Sequence, residues 1–225
     1  MATFVLVHGS FSASWCWREV VPRLEQLGHR AVVLDLPAHG ANHMAVEQVT
    51  LHDYVDAVSR VVRIQDSSPI LVGHSMGGPI IAGVAEAEPD RTAALVVVAG
   101  LLPPNGTAMV QALEGFDPEY LAQAIWAPDR RSVRISPEGT LRFLCSLCSR
   151  EVVDEVVRRM TPEPFAPYEA PIVTTDASFG RVPRYYVETL RDKVVPLSLQ
   201  RSIQAQVGFR RVFSLDTDHA PVVNR

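Results

Sequence analysis

Short apolar runs recur along the chain, and they constrain its fold more than any other feature. Each run is continuously rich in Val, Ile and Leu, which is typical of strands buried on both faces of a parallel sheet. We expect six such strands, at residues 3–8, 31–34, 70–73, 94–100, 184–188 and 211–215. Segments with helical spacing lie between them, at residues 15–27, 51–65, 76–88 and 197–207. The pattern predicts an α/β fold with a doubly wound, mostly parallel six-stranded sheet.

The alternation stops between the fourth and fifth strands, at residues 103–183. Connections in α/β units usually span about two to six residues, so this insertion must be structured in its own right. We interpret it as a cap between core segments 1–102 and 184–225. Residues 131–133 and 141–144 flank the turn-forming cluster Ser136-Pro137-Glu138-Gly139, which predicts a small hairpin. Residues 149–160 predict an amphipathic helix.

Length and charge favour a small-molecule partner. The 225 residues fit one domain with an insertion. The net charge of −4 arises from 21 basic and 25 acidic residues that form no block. This distribution argues against nucleic acid or an anionic membrane surface as a partner.

Cysteine usage and hydropathy indicate a cytoplasmic protein. Three cysteines cannot make a complete disulfide framework, which fits a reducing compartment. The first strand begins almost at Met1, so we expect no secretion signal. The longest apolar run, residues 93–102, is about half of what a bilayer requires, and we expect a buried strand there instead.

Ser75 lies in Gly73-His74-Ser75-Met76-Gly77, between an apolar strand and a helix. This context is typical of a nucleophile elbow, a sharp turn that exposes the serine hydroxyl above the sheet. The flanking glycines are needed because a Cβ at those positions would strike a neighbouring element. We interpret Ser75 as a covalent nucleophile; the alternative is a tight glycine turn without chemistry.

Chain order selects the partners of Ser75. Of seven histidines only His219 follows Ser75, and it lies just past the last predicted strand, where the base of such a triad belongs. Asp192 follows the penultimate strand and is the predicted acid. Asp216 and Asp218 are rivals, but they flank His219 on one short loop, and we expect both to be solvated turn residues.

An oxyanion site needs two backbone donors, one after the nucleophile and one after the first strand. The predicted donors are the N–H groups of Met76 and Ser10, with Gly9 allowing close approach. His8 and His74 adjoin this region, and we expect them to be structural. Substrate contacts are predicted for Gly9 and Phe11 of this loop and for five aromatic residues of the cap, Phe116, Tyr120, Trp126, Phe143 and Phe165. For each of the five, the alternative is packing within the cap.

Cys145-x-x-Cys148 has the spacing of half a metal or redox site. Because no second ligand pair accompanies it, we interpret the two cysteines as packing residues in the cap, and we expect no metal.

Six segments together resemble the α/β-hydrolase superfamily, in the compact branch of plant methylesterases, hydroxynitrile lyases and bacterial esterases. They are Phe4-Val5-Leu6-Val7-His8-Gly9, Trp15-Cys16-Trp17, Gly73-His74-Ser75-Met76-Gly77-Gly78, Thr161-Pro162-Glu163-Pro164, Phe179-Gly180-Arg181-Val182-Pro183-Arg184 and Asp218-His219. The resemblance implies the same triad and amides, a small lid and no cofactor.

Three departures from the branch bear on function and assembly. The lyases carry Thr at the position of Gly9 and Lys at that of Ala220, which disfavours cyanohydrin cleavage here. Relatives also continue into a final helix where this chain ends at Arg225. We expect either that this helix is absent from the sequence in hand or that the last strand is covered in another way, with a homodimer as one alternative.

These residues together predict a hydrolase that cleaves a small hydrophobic carboxylic ester, lactone or thioester through an acyl-enzyme. Two alternatives stay open. The same site can serve C–C cleavage or elimination with His219 as base, or the chain can be a ligand-binding protein with vestigial activity.

Overall fold

Eleven strands are found in the computed structural model, which describes residues 1–223. They are β1 (Thr3–Val7), β2 (Arg30–Val33), β3 (Ile70–His74), β4 (Ala94–Val98), β5 (Thr107–Ala108), β6 (Ala124–Trp126), β7 (Ser132–Ile135), β8 (Glu163–Pro164), β9 (Pro171–Ile172), β10 (Arg184–Thr189) and β11 (Arg211–Leu215).

The α-helices of the same residues fill the connections. They are α1 (Val20–Gln26), α2 (Leu51–Arg63), α3 (Gly77–Ala87), α4 (Met109–Ala112), α5 (Pro118–Leu121), α6 (Pro137–Gly139), α7 (Arg150–Arg159), α8 (Ala166–Glu169) and α9 (Leu197–Val207). Short 3-10 turns lie at Ser14–Trp17, Val46–Gln48, Pro89–Arg91, Leu113–Gly115 and Phe179–Arg181, and a π-helical turn spans Thr140–Leu144.

The central sheet has six parallel strands in the order β11-β10-β4-β3-β1-β2. The predicted α/β fold with a six-stranded parallel sheet is therefore confirmed. β1 and β3 are neighbours, with Val7 opposite Gly73, so the loops that follow these two strands meet at one edge of the sheet. Parallel sheets place their sites at this carboxyl edge.

Local sequence signals define two helices well. The Thr50 hydroxyl accepts the Asp53 N–H at 3.2 Å and the Asp53 carboxylate accepts the Thr50 N–H at 2.8 Å, a capping box that starts α2. Ser149 caps α7, which buries Val152, Val153 and Val156. The predicted helix at 15–27 is wrong in its first part, because Ser14–Trp17 forms a separate 3-10 turn that precedes α1.

The hairpin predicted around residues 136–139 is wrong. β7 pairs antiparallel with β6, which precedes it, and with β8 on its other side. Residues 141–144 lie in a π-helical turn. Ser136 accepts the Gly139 N–H at 2.9 Å and Pro137 follows it, so the same four residues that suggested a β-turn begin a helical turn. The boundaries of the cap, 103–183, stay a prediction.

β11 forms an edge of the central sheet, and all five of its residues are exposed. Val212, Phe213 and Leu215 each expose about 40% of their surface. No helix within residues 1–223 covers this strand, and the proposed homodimer stays a prediction. Among those residues, no helix combines the length and apolar character needed to cross a membrane.

Candidate active site

The turn from β3 into α3 holds Ser75 in a left-handed backbone conformation, with φ +53°. A Cβ on Gly73 would lie 2.4 Å from the Gly77 carbonyl oxygen, and one on Gly77 would lie 2.7 Å from that of Val7. Both distances are far below van der Waals contact, so glycine is required on each side of the serine. The turn is tied to β4 by the Ser75 N–H, which donates to the Val98 carbonyl at 3.0 Å.

Three side chains that are distant in sequence meet at this turn. The Ser75 Oγ lies 3.0 Å from His219 Nε2, and His219 Nδ1 lies 2.8 Å from Asp192 Oδ2. All three residues are buried, with at most 8% of the surface exposed. Because the carboxylate accepts the Nδ1–H, the other ring nitrogen is left free to accept the serine proton.

Local hydrogen bonds fix the orientation of the Asp192 carboxylate. Its Oδ1 accepts the N–H groups of Val194 at 2.8 Å and Val195 at 2.9 Å. Its Oδ2 accepts the Thr189 hydroxyl at 2.8 Å in addition to His219. Gln200 Nε2 also donates to Oδ2, at 3.4 Å. With five donors around it, the carboxylate has no freedom to turn away from the imidazole.

The loop carrying His219 is held from two sides. His74 donates its Nε2–H to the His219 carbonyl at 2.7 Å. Asp218 accepts the Leu147 N–H at 2.7 Å and the Ala220 N–H at 3.2 Å, which connects this loop to the insertion. The expectation of a solvated Asp218 is wrong: the residue is fully buried, and burial raises the pKa of its carboxyl. Asp216 is exposed as expected.

The loop after β1 lies directly against the serine. A Cβ on Gly9 would be 2.9 Å from the Ser75 Cβ and 3.0 Å from the His74 carbonyl oxygen. Neither the Ser10 N–H nor the Met76 N–H finds an acceptor within residues 1–223. Met76 also precedes the first turn of α3, so the positive end of the helix dipole adds to its N–H.

A cavity of about 140 Å³ opens above Ser75 and His219. Its wall is mostly apolar and contains five of the seven residues predicted for substrate contact: Phe11, Phe116, Tyr120, Trp126 and Phe165. The other two predicted residues, Phe143 and Gly9, do not belong to the wall. Phe143 packs against Tyr120, with ring centroids 5.6 Å apart. Among the described lining residues only Arg134 carries a full charge, and it is exposed.

His8 and His74 are buried beside the site, and burial lowers the pKa of each to about 3. His8 donates Nδ1–H to the Gly9 carbonyl at 2.9 Å and accepts the Leu36 N–H on Nε2 at 3.2 Å, which requires a neutral ring. Neutral, hydrogen-bonded rings of this kind support the loops around them.

The two buried histidines predict an acid-sensitive fold. Unfolded histidine binds a proton below about pH 6.5, whereas the folded rings stay neutral down to about 3, so the free energy of unfolding falls as pH falls. At pH 5 each ring is expected to lower the free energy of unfolding by about 2 kcal/mol relative to neutral pH. Urea unfolding between pH 7 and 5 should show this slope.

Two variants test whether the buried histidines cause this acid sensitivity. His74→Asn should lower the number of protons taken up on unfolding by one, and the slope of the unfolding free energy against pH should fall accordingly. The control His52→Gln, at an exposed residue, should leave this slope unchanged. If the unfolding free energy depended on pH equally in His74→Asn and in the parent chain, buried His74 would not be a cause of the acid sensitivity.

Sequence reasoning missed a buried polar cluster next to the site. Glu163 is fully buried, and its carboxylate accepts the Phe11 N–H at 2.9 Å, His39 Nε2 at 3.0 Å and the Tyr54 hydroxyl at 3.2 Å. Tyr168 contributes a hydroxyl hydrogen bond to Ser10. A carboxylate between two prolines in an otherwise apolar passage was the available signal.

Metal-binding clusters of three or more His, Cys, Asp or Glu side chains do not occur within residues 1–223. All three cysteines have free thiols, and two of them, Cys16 and Cys145, are buried and line the cavity.

Comparison with known proteins places this geometry in a family. The model of the family described as "Alpha/beta hydrolase family" matches residues 4–225. The chain belongs to this family. Its sequence is 28% identical over 237 residues to "Methylesterase 7" of Arabidopsis thaliana, covering 99% of this chain and 91% of that protein. It is 32% identical over 238 residues to "Pyrethroid hydrolase" of Sphingobium wenxiniae, covering 96% of this chain and 81% of that protein.

The solved structure of polyneuridine aldehyde esterase superposes on this alpha/beta hydrolase with a TM-score of 0.91 at 23% identity, covering 100% of this chain and 94% of that one. At this identity the match shows the shared fold alone. The resemblance stated from the sequence, to alpha/beta hydrolases and to plant methylesterases with bacterial esterase relatives, is confirmed.

Proposed function

We propose that this alpha/beta hydrolase cleaves a small hydrophobic carboxylic ester through an acyl-enzyme on Ser75. One observation carries the proposal: the Ser75 hydroxyl, the His219 ring and the Asp192 carboxylate are joined in a row by contacts of 3.0 and 2.8 Å at a turn with φ +53°. A serine with this base and orienting acid is the arrangement used for acyl transfer on several unrelated folds.

The reaction begins when His219 Nε2 takes the Ser75 proton as Oγ attacks the acyl carbon. The carbonyl oxygen becomes an oxyanion, which the Ser10 and Met76 N–H groups stabilise. His219 then donates the proton to the leaving alcohol, and the acyl group stays on Ser75. Water, activated by the same ring, releases the acid. Asp192 keeps Nδ1 protonated and stabilises the imidazolium in both halves.

The cavity favours an uncharged substrate with one ring-sized apolar group. Its volume of about 140 Å³ is close to the roughly 150 Å³ of an apolar protein cavity that binds benzene. An exposed arginine is the only full charge among the described lining residues, so an anionic or cationic substituent would be desolvated without a partner. Relatives named a methylesterase and a pyrethroid hydrolase support ester cleavage. A lactone or thioester of similar size fits the same chemistry.

Product analysis in isotopically labelled water tests this proposal. A panel of neutral aromatic and short aliphatic esters is incubated in H₂¹⁸O, and the products are examined by mass spectrometry. Ester hydrolysis places one ¹⁸O in the acid product, and the neutral aromatic esters should be turned over faster than matched charged ones. Conversion of substrate without ¹⁸O in an acid would instead indicate C–C cleavage or elimination, and turnover of none of the panel would favour a binding protein.

We also propose a reducing, cytoplasmic setting, which the three free thiols support.

A further inference from the structure

The loop that carries Ser10 is conformationally strained. Phe11, the next residue, has φ +63°, in the left-handed region that bulky residues avoid. Such a conformation persists only where surrounding contacts fix it, and it occurs preferentially at functional sites. The N–H of Ser10 is one peptide unit away from this residue, so its direction depends on how the backbone at Phe11 is held.

Three hydrogen bonds join residues Ser10 and Phe11 of this loop to the insertion. The Phe11 N–H donates to Glu163 Oε2 at 2.9 Å, and the Phe11 carbonyl accepts the Thr161 N–H at 3.0 Å. The hydroxyl of Ser10 bonds to that of Tyr168. The strained backbone of the core is thus fixed by a segment distant in the chain, since Phe11 and Glu163 are 152 positions apart.

Glu163 is itself rigidly held. Its Oε2 also accepts His39 Nε2–H at 3.0 Å, and its Oε1 accepts the Tyr54 hydroxyl at 3.2 Å. His39 Nδ1 faces the Pro37 carbonyl at 2.9 Å, so both ring nitrogens face acceptors. Burial opposes charge on this ring, but Glu163 outweighs it and raises the pKa of His39. The charged form of the ring is thereby favoured beside the carboxylate, which limits the repulsion between Glu163 and a nearby oxyanion.

We infer that Glu163 is a positioning residue for oxyanion binding: by accepting the Phe11 N–H, its carboxylate fixes the backbone that aims the Ser10 N–H at the reacting carbonyl. The inference rests on the function proposed above for Ser75. It assigns the insertion a part in the chemistry beyond forming the substrate cavity, because the insertion supplies the group that holds the oxyanion loop.

Three substitutions of Glu163 separate the placement of the oxygen that accepts the Phe11 N–H from the negative charge of the side chain. Glu163→Gln keeps an oxygen for the Phe11 N–H and an amide that can donate to the Tyr54 oxygen, but it removes the charge. Glu163→Asp keeps the charge but withdraws the acceptor by one methylene, about 1.5 Å. Glu163→Leu removes both. Tyr54→Phe is the matched control, since it deletes a hydrogen bond to the other carboxylate oxygen and does not touch the loop.

The inference predicts a loss in kcat with little change in KM. Misplacing an oxyanion donor by about 1 Å costs on the order of 100-fold, so Glu163→Asp and Glu163→Leu should lower kcat roughly 10- to 100-fold with KM within about threefold. Affinity for a trifluoromethyl ketone, which mimics the tetrahedral intermediate, should fall by the same factor. Glu163→Gln and Tyr54→Phe should keep kcat within about fivefold of the parent chain. If Glu163→Leu does not fold, the test is whether Glu163→Gln has a higher kcat than Glu163→Asp.

Three kinetic results would contradict the role inferred for Glu163. A higher kcat for Glu163→Asp than for Glu163→Gln would mean that the charge at position 163 matters and the acceptor position does not, which overturns the inference. Unchanged kcat in folded Glu163→Asp, or an effect confined to KM, would also overturn it.

Hydrogen exchange separates a failure of this inference from a failure of the proposed function. The amide of Phe11 should exchange faster in Glu163→Asp and Glu163→Leu than in the parent chain, Glu163→Gln and Tyr54→Phe, as measured by mass spectrometry of the peptide that contains it. If a fluorophosphonate probe does not label Ser75 in the parent chain, the proposed function fails, and exchange still decides whether Glu163 holds the loop. Unchanged exchange of this amide in Glu163→Asp and Glu163→Leu would overturn the inference.

Discussion

Replacing Ser75 by alanine is expected to lower kcat/KM for a p-nitrophenyl ester by about 10⁶-fold, to the rate that the remaining site can support. The loss is this large because His219, 3.0 Å away, then has no nucleophile to activate and no acyl-enzyme forms. His219→Ala should cost nearly as much, and the double variant should be no worse than either, since the two residues act as one unit. Steady-state kinetics with rigorous removal of contaminating esterase measures this.

A glycine variant provides the control for folding. Ser75 has φ +53°, which alanine tolerates poorly and glycine readily adopts. Ser75→Gly should therefore unfold with a free energy about 1 kcal/mol higher than Ser75→Ala while being equally inactive. Hydrolysis within tenfold of the parent rate in either folded variant would exclude Ser75 as the nucleophile.

Asp192→Asn is expected to lower kcat/KM by about 10⁴-fold with little change in the fold. Oδ1 accepts the N–H groups of Val194 and Val195, so the asparagine oxygen should take that place and its NH₂ should face His219. The imidazole must then accept on Nδ1 and carry its hydrogen on Nε2, the wrong tautomer for removing the Ser75 proton. Kinetics and thermal unfolding, measured together, test this account.

Asp216→Asn is the matched control for that substitution. Asp216 lies on the His219 loop but is exposed and pairs with Arg191 at 2.8 Å. Its variant should keep activity within about twofold. If the two asparagine variants lost activity equally, the assignment of Asp192 as the orienting acid would be wrong.

The sequence was most informative where function depends on local backbone geometry. The apolar runs predicted the positions of all six strands of the sheet. Burial on both faces, the reason for that prediction, holds for the inner strands but not for the edge strand β11, whose five residues are all exposed. The glycines around Ser75 predicted the turn into α3, where a Cβ at position 73 would lie 2.4 Å from the Gly77 carbonyl oxygen. Chain order then selected His219 and Asp192, which the fold brings to hydrogen-bonding distance.

Sequence reasoning failed where one pattern suits two structures or where burial depends on distant partners. Ser136-Pro137-Glu138-Gly139 suits a turn between strands and also a helix N-terminus, and the second occurs. The sequence suggests that Asp218 is a solvated loop residue, yet it is buried and its carboxylate accepts the Leu147 N–H of the insertion. Glu163 meets Phe11 across 152 positions, a contact that no local periodicity encodes.

The central claim, covalent catalysis by Ser75, is tested most directly by trapping the acyl-enzyme. Parent chain and a poorly deacylated aromatic ester are mixed, quenched with acid within the first turnover, and digested for mass spectrometry. The account predicts that the peptide containing Gly73-His74-Ser75-Met76-Gly77 gains the mass of the acyl group on Ser75, and that Ser75→Ala gains none. Turnover with no acylated peptide, or with the acyl group on another residue, would contradict it.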